Sequence, residues 1–222
     1  MAEIKISKLI RSNRRTICLM IDSEGNLIVK APIFTPIWII NKFISDKKSW
    51  VSKQIEKKLK HIKKGRTYTE EEEFLFLGKT YKLHFGNFNE VTFSNSGQLE
   101  FPSGLSFRIK KEIERVYINE AKELITKRVK YFADLMKLKF SSITFSDTKS
   151  KWGTCTHINN LQFNWRLVMT PLLVIDYVII HELAHIKEKN HSRRFWSIVS
   201  LYKPAFRQHR KWLNENSHQL TL

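Results

Sequence analysis

The chain has 222 residues, 42% hydrophobic and 12% aromatic, with 39 basic against 21 acidic side chains and a formal charge of +18. That apolar content is enough for a sizeable core in one domain or two closely packed lobes, and it argues against a disordered chain. The basic excess is spread along the sequence, 18 against 11 in residues 1–104 and 21 against 10 in 105–222, so it is not a tail. Such a field favours anionic partners such as nucleic acid, nucleotides or acidic proteins, although a lysine-rich solvated surface reads the same way. Cys18 and Cys155 form no CxxC pair, which points to neither a disulfide framework nor a cysteine zinc site. The first residues lack an apolar core, and Asp176 breaks the longest apolar stretch. The expectation is a cytoplasmic protein without signal peptide or membrane span.

Residues 4–11, 15–21 and 27–29 read as short strands opening a β-meander, with a turn at 22–26. Thr35-Pro36 predicts an N-cap with proline at the first helical position. The apolar spacing of Ile40, Ile44, Val51 and Ile55 then predicts one basic, amphipathic helix ending at Gly65. Its lysines suit a solvated face, phosphate or a membrane surface. Glu70 to Glu73 form an acidic run, either a solvated loop or a cation site, before hairpin-like segments at 74–77 and 81–85. Strand-like pieces follow at 91–93 and 99–101, and Pro102-Ser103-Gly104 punctuates the chain most strongly. The expected division is therefore an N-terminal β-rich lobe with a helix, 1–104, and a second lobe, 105–222.

Ile109, Ile113, Tyr117, Ile125, Val129 and Phe132 predict a long amphipathic helix over about 106–138. Residues 143–145, 151–156 and 161–165 read as strands, the last two joined by a turn at 157–160. Thr170-Pro171 repeats the cap pattern, Pro204 starts a last helix, and the tail after Asn214 is expected to fray. The fold class is α+β.

The helix beginning at 171 is apolar almost all round, which marks it as buried, and it ends in His181-Glu182-Leu183-Ala184-His185. Positions i and i+4 share a helical face, so two imidazoles can meet one point. Glu182 can reach a metal-bound water without being a ligand. His191 supplies a third imidazole if the chain turns back, with Asn190 in the left-handed conformation and Ser192 capping a new helix. The competing reading is a chance HExxH at a helix end, but polar groups closing a buried helix call for a reason such as metal. The histidine spacing matches that of metzincin proteases, yet Glu188 replaces their turn glycine and no methionine follows His191. Neither a P-loop nor a GxGxxG loop occurs.

The runs Lys151-Trp152-Gly153-Thr154-Cys155-Thr156, Phe163-Asn164-Trp165-Arg166-Leu167, Tyr177 to His185, and Asn190-His191-Ser192-Arg193-Arg194-Phe195-Trp196 together resemble the YgjP-like (DUF45) metallopeptidase family, often grouped with M48-type peptidases. Gly25, Ala31-Pro32, Trp50-Val51 and Leu77-Gly78-Lys79-Thr80-Tyr81 extend the resemblance over most of the chain. It implies a zincin-like catalytic lobe with a small sheet, one Zn²⁺ held by His181, His185 and His191, a hairpin over 152–166 lining the cleft, and hydrolysis of peptides. Glu182 is then the general base.

The partner of the developing negative charge stays open. Tyr177, one turn before His181, is either a hydrogen-bond donor or packing. Arg166 and His157 on the hairpin are comparable candidates, and Asp176, Glu188 or Asn190 can orient the imidazoles. A second function class is a metal-dependent nucleoside triphosphate pyrophosphatase, an activity attributed within the same group. Lys149, Lys151, Arg166, Lys187, Arg193 and Arg194 cluster around the motif, and arginine forks suit phosphate. At most one of Arg193 and Arg194 is expected to face the cleft. A third reading, by resemblance to SprT and WLM-type zincins, is a protease acting on DNA-bound proteins.

Overall fold

The structure, a computed structural model, describes residues 5–22, 25–60, 66–148 and 151–222. It separates into two compact units, Met1–Arg66 and Thr67–Leu222. The class is α+β, with three small sheets and six α-helices among the described residues.

In the first unit, β1 (Ile6–Ser12), β2 (Cys18–Ile21) and β3 (Leu27–Pro32) lie in the order β1-β3-β2. β3 runs parallel to β1 and antiparallel to β2, so the sheet is not the expected meander. The reason is burial: β3 alternates buried Leu27, Val29 and Ala31 with half-buried neighbours, which suits a central strand, whereas β1 and β2 bury no residue fully. Asp22 Oδ1 accepts from the Asn26 amide at 2.8 Å across the predicted turn, of which Ser23 and Glu24 lie outside the described residues.

The single helix expected from 36 onward is two, α1 (Ile37–Asp46) and α2 (Lys48–Lys60). At Lys47 the amide donates to both Phe43 and Ile44, a tightened turn that no proline or glycine announces. Pro36 is itself the cap residue, with no side-chain cap bond from Thr35. Ile40, Ile44 and Val51 nevertheless reach one cluster with Leu27, Val29 and Ala31, so the apolar period survives the break. The side chains of Lys57, Lys58 and Lys60, and residues Lys63, Lys64 and Gly65, lie outside the described part.

The second unit opens with β4 (Glu73–Phe76), β5 (Lys79–Gly86), β6 (Thr92–Phe93) and β7 (Gln98–Pro102), in the order β4-β5-β7-β6. The acidic run is tied to this sheet: Glu70 accepts from the Phe85 amide at 3.0 Å and meets His84 at 2.6 Å, while Glu71 pairs with Lys82 at 2.7 Å. Next comes α3 (Ile109–Leu135), whose Tyr117 is fully buried, donates its hydroxyl to the Leu75 carbonyl at 2.6 Å and packs edge-on against Phe93. That contact places residues 67–104 in the second unit. The division expected at 102–104 falls at 66/67 instead, and Pro102-Ser103-Gly104 only leads into a 3-10 turn.

β8 (Ser142–Ser146), β9 (Gly153–Cys155) and β10 (Asn160–Asn164) form the last sheet, with β10 central, parallel to β8 and antiparallel to β9. Helices α4 (Leu172–Lys187), α5 (Arg193–Tyr202) and α6 (Phe206–Asn216) complete the unit, and α3, α5, α6 and β9 all pack on α4. Residues 174–180 of α4 are buried without a break. Thr170 does not cap this helix; its hydroxyl donates to the Leu167 carbonyl, and Pro171 holds the cap position. Gly78, at φ 75°, lies so close to Pro171 that a Cβ there would meet its Cγ at 2.7 Å. At the far end Leu220 is 1% exposed, so the segment after Asn214 is anchored rather than frayed.

Candidate metal centre

The buried face of α4 delivers His181 and His185 one turn apart, with ring centroids 5.0 Å apart. The helix ends at Glu188, which is extended at φ −127° and ψ 101°. No left-handed residue is needed, and Asn190 does not adopt that conformation. The cause is local: His185 Nδ1 reaches the Glu188 carbonyl at 3.0 Å, which holds the chain as it turns away. Ser192 caps α5 by accepting from the Phe195 amide at 3.2 Å, and the turn carries His191 back over His181. Their Nε2 atoms are 3.0 Å apart, and one nitrogen from each of the three histidines lies within 4.8 Å of the others. Phe195, fully buried, packs its ring against all three imidazoles at centroid distances of 4.4–4.8 Å.

Three observations show that this donor set fits a divalent ion. Zinc–imidazole bonds of about 2.0–2.1 Å in a tetrahedral site put ligand nitrogens roughly 3.3 Å apart, close to the His181–His191 separation. Donation from His185 Nδ1 to the Glu188 carbonyl leaves the Nε2 lone pair free to ligate. Burial, reinforced by His185, His191 and Arg210, holds the His181 imidazole down at about 3, so it is neutral. Burial also lowers His185.

Glu182 points from the same helix toward β9. Burial pushes its carboxyl up to about 8, opposed by Lys151. A Cβ on Gly153 would lie 2.6 Å from Glu182 Cγ and 2.7 Å from Oε1, so only glycine allows the strand this close to the carboxylate. Glu182, His181, Tyr177 and Gly153 line one cavity of about 220 Å³ together with Lys151 and Arg210. Tyr177 is buried and sits edge-on to His181, with burial raising its hydroxyl pKa.

Other candidates are placed elsewhere. Arg166 is ion-paired with Asp147 and lies over the Trp165 ring at 4.2 Å, and it lines neither cavity beside the histidines. His157 is exposed in the β9–β10 turn, also away from both cavities. Arg193 lines a cleft with His191, whereas Arg194 does not. Asp176 orients no imidazole; Arg128 grips it from two nitrogens at 2.8 and 2.7 Å, and Lys203 approaches to 3.6 Å. Glu188 acts through its carbonyl, not its carboxylate. Lys149 lies outside the described residues. Three residues with no assigned part in the sequence reading matter here: Gly153, Phe195 and Arg210. Only Gly153 carried a signal, a glycine inside a strand pattern, which marks close backbone approach.

No helix among the described residues is long and apolar enough to cross a membrane. No curated protein matches the chain. The crystal structure of the metallopeptidase zymogen of Methanocaldococcus jannaschii jannalysin is similar over 41% of this chain and 94% of its own, at 22% identity and a TM-score of 0.38. A family model described as YgjP-like, metallopeptidase domain, matches residues 15–216, nearly the whole sequence. The chain therefore belongs to the YgjP-like metallopeptidase family of metal-dependent hydrolases.

Proposed function

We propose that the chain is a zinc-dependent peptidase in which His181, His185 and His191 hold the ion and Glu182 is the general base. The observation that carries this reading is the convergence of three imidazoles, that of His181 held neutral by burial, beside one buried carboxyl. Three imidazoles and an open fourth position suit zinc. A zinc ion held there supplies Lewis-acid polarisation of a substrate carbonyl and acidifies a water molecule.

The protein's own residues do the rest. Glu182 takes the proton from the attacking water at its carboxylate and passes it to the leaving amine; a carboxyl poised near neutrality exchanges protons in both directions. Gly153 leaves room for that carboxylate. Tyr177 lines the same cavity as Glu182, and in this reading its hydroxyl donates to the oxygen that gains charge as the carbonyl is attacked.

The second reading, hydrolysis of a nucleoside triphosphate, draws on Lys151 and Arg193, which line the cavities beside the histidines. It loses Arg166 to Asp147. A zinc-replete hydrolysis screen of peptides against nucleoside triphosphates separates the two, with Glu182→Gln as the blank. The expected result is peptide turnover that falls by about 10²–10⁴-fold in the variant while zinc stays bound. Turnover of triphosphate alone would overturn the peptidase reading, and wild-type turnover in Glu182→Gln would remove the base.

A further inference from the structure

A cleft of about 960 Å³ runs between α5 and α6, beginning at His191. Its walls carry Arg193, Arg207, Arg210 and Lys211 against one carboxylate, Glu215. Among the described residues Glu215 meets only Lys211, at 3.9 Å with both groups exposed, too loose to neutralise the wall. Arg193, Arg207 and Arg210 have no carboxylate partner among the described residues. Arg210 also lines the smaller cavity with His181 and Glu182, so the cationic wall is continuous with the metal centre. A concave wall of one sign focuses field and concentrates ligands of the opposite charge.

We propose that this cleft is the subsite for an acidic segment of the peptide substrate, with Arg207, Arg210 and Lys211 gripping carboxylate side chains on one side of the cleaved bond. The proposal rests on the peptidase reading and adds the substrate class to it. One feature favours carboxylates over nucleotides. Trp196, the ring available for a base, is already stacked by Phe206 and His191 at 5.0 and 5.6 Å, with the Arg210 guanidinium 5.5 Å from its centroid.

The test measures binding separately from turnover. The full zinc-loaded Glu182→Gln chain is titrated into a labelled peptide alternating Glu with Ala and into its Gln-for-Glu counterpart, at low and high salt. The Glu peptide is expected to bind about 10- to 100-fold more tightly, an advantage that salt erodes. Arg207→Glu/Lys211→Glu should abolish that advantage, and Arg207→Gln/Lys211→Gln, which removes the two charges without reversing them and keeps good helix formers in place, should reduce it. Equal binding of the two peptides overturns the proposal. So does a nucleoside triphosphate or an oligonucleotide that displaces the Glu peptide with the same dependence on Arg207 and Lys211. If the wild-type chain binds the Glu peptide with this dependence but cleaves no peptide, the peptidase reading fails and the acidic-segment site stands.

Discussion

Gly153→Ala tests the centre at the point where strand and helix meet. The added methyl would sit 2.6 Å from Glu182 Cγ, 2.9 Å from Cδ and 2.7 Å from Oε1. Carbon atoms prefer about 3.5–4.0 Å, so something must retreat by roughly 1 Å. The methyl is fixed to strand backbone, whereas Glu182 is a side chain, so the carboxylate moves. Overpacking of this kind costs about 1–3 kcal/mol of stability, and a 1 Å displacement of a catalytic group costs about 10²-fold in rate. The variant should fold, bind zinc with wild-type stoichiometry, and lose about a hundredfold in kcat for whichever substrate the wild type turns over. Because the loss runs through Glu182, adding Gly153→Ala to Glu182→Gln should lower turnover little further, a non-additivity that a double-mutant cycle measures. Wild-type kcat in Gly153→Ala, or full additivity of the two substitutions, would refute the argument.

Further outcomes follow from the same geometry. His181→Ala/His185→Ala should abolish stoichiometric zinc by elemental analysis, while the wild type at a free zinc concentration a hundredfold above Kd should gain about 2.7 kcal/mol of unfolding free energy. Asp176→Ala leaves Arg128 and Lys203 facing a buried position without their shared carboxylate, and should cost about 3–5 kcal/mol by denaturant titration. Tyr177→Phe removes only the hydroxyl, so kcat should fall while zinc affinity holds; an unchanged kcat would return Tyr177 to a packing role. Phe195→Ala takes away the ring beneath all three imidazoles, and should weaken zinc binding together with a loss of about 3–5 kcal/mol.

By itself the sequence determined the α+β class, the long helix α3, the buried character of α4, the Ser192 cap and the triad His181, His185 and His191, because each is written in short spacing. A period of 3.6, a helical i+4 pair and a capping serine are properties of neighbours along the chain. It did not determine the order β1-β3-β2 or the break at Lys47, where burial and a tightened turn decided without any glycine or proline to mark the place. Nor did it show that residues 67–104 pack with the second unit, which depends on Tyr117 reaching Leu75 across 42 positions. The surroundings of the centre were likewise tertiary. Arg166 and Asp176, plausible near the motif, are taken by Asp147 and by Arg128 with Lys203. Arg210, far along the chain from His181, is brought to its cavity by the packing of α6 on α4. A charged side chain takes the best partner the fold brings within reach, and distance along the sequence does not say which partner that is.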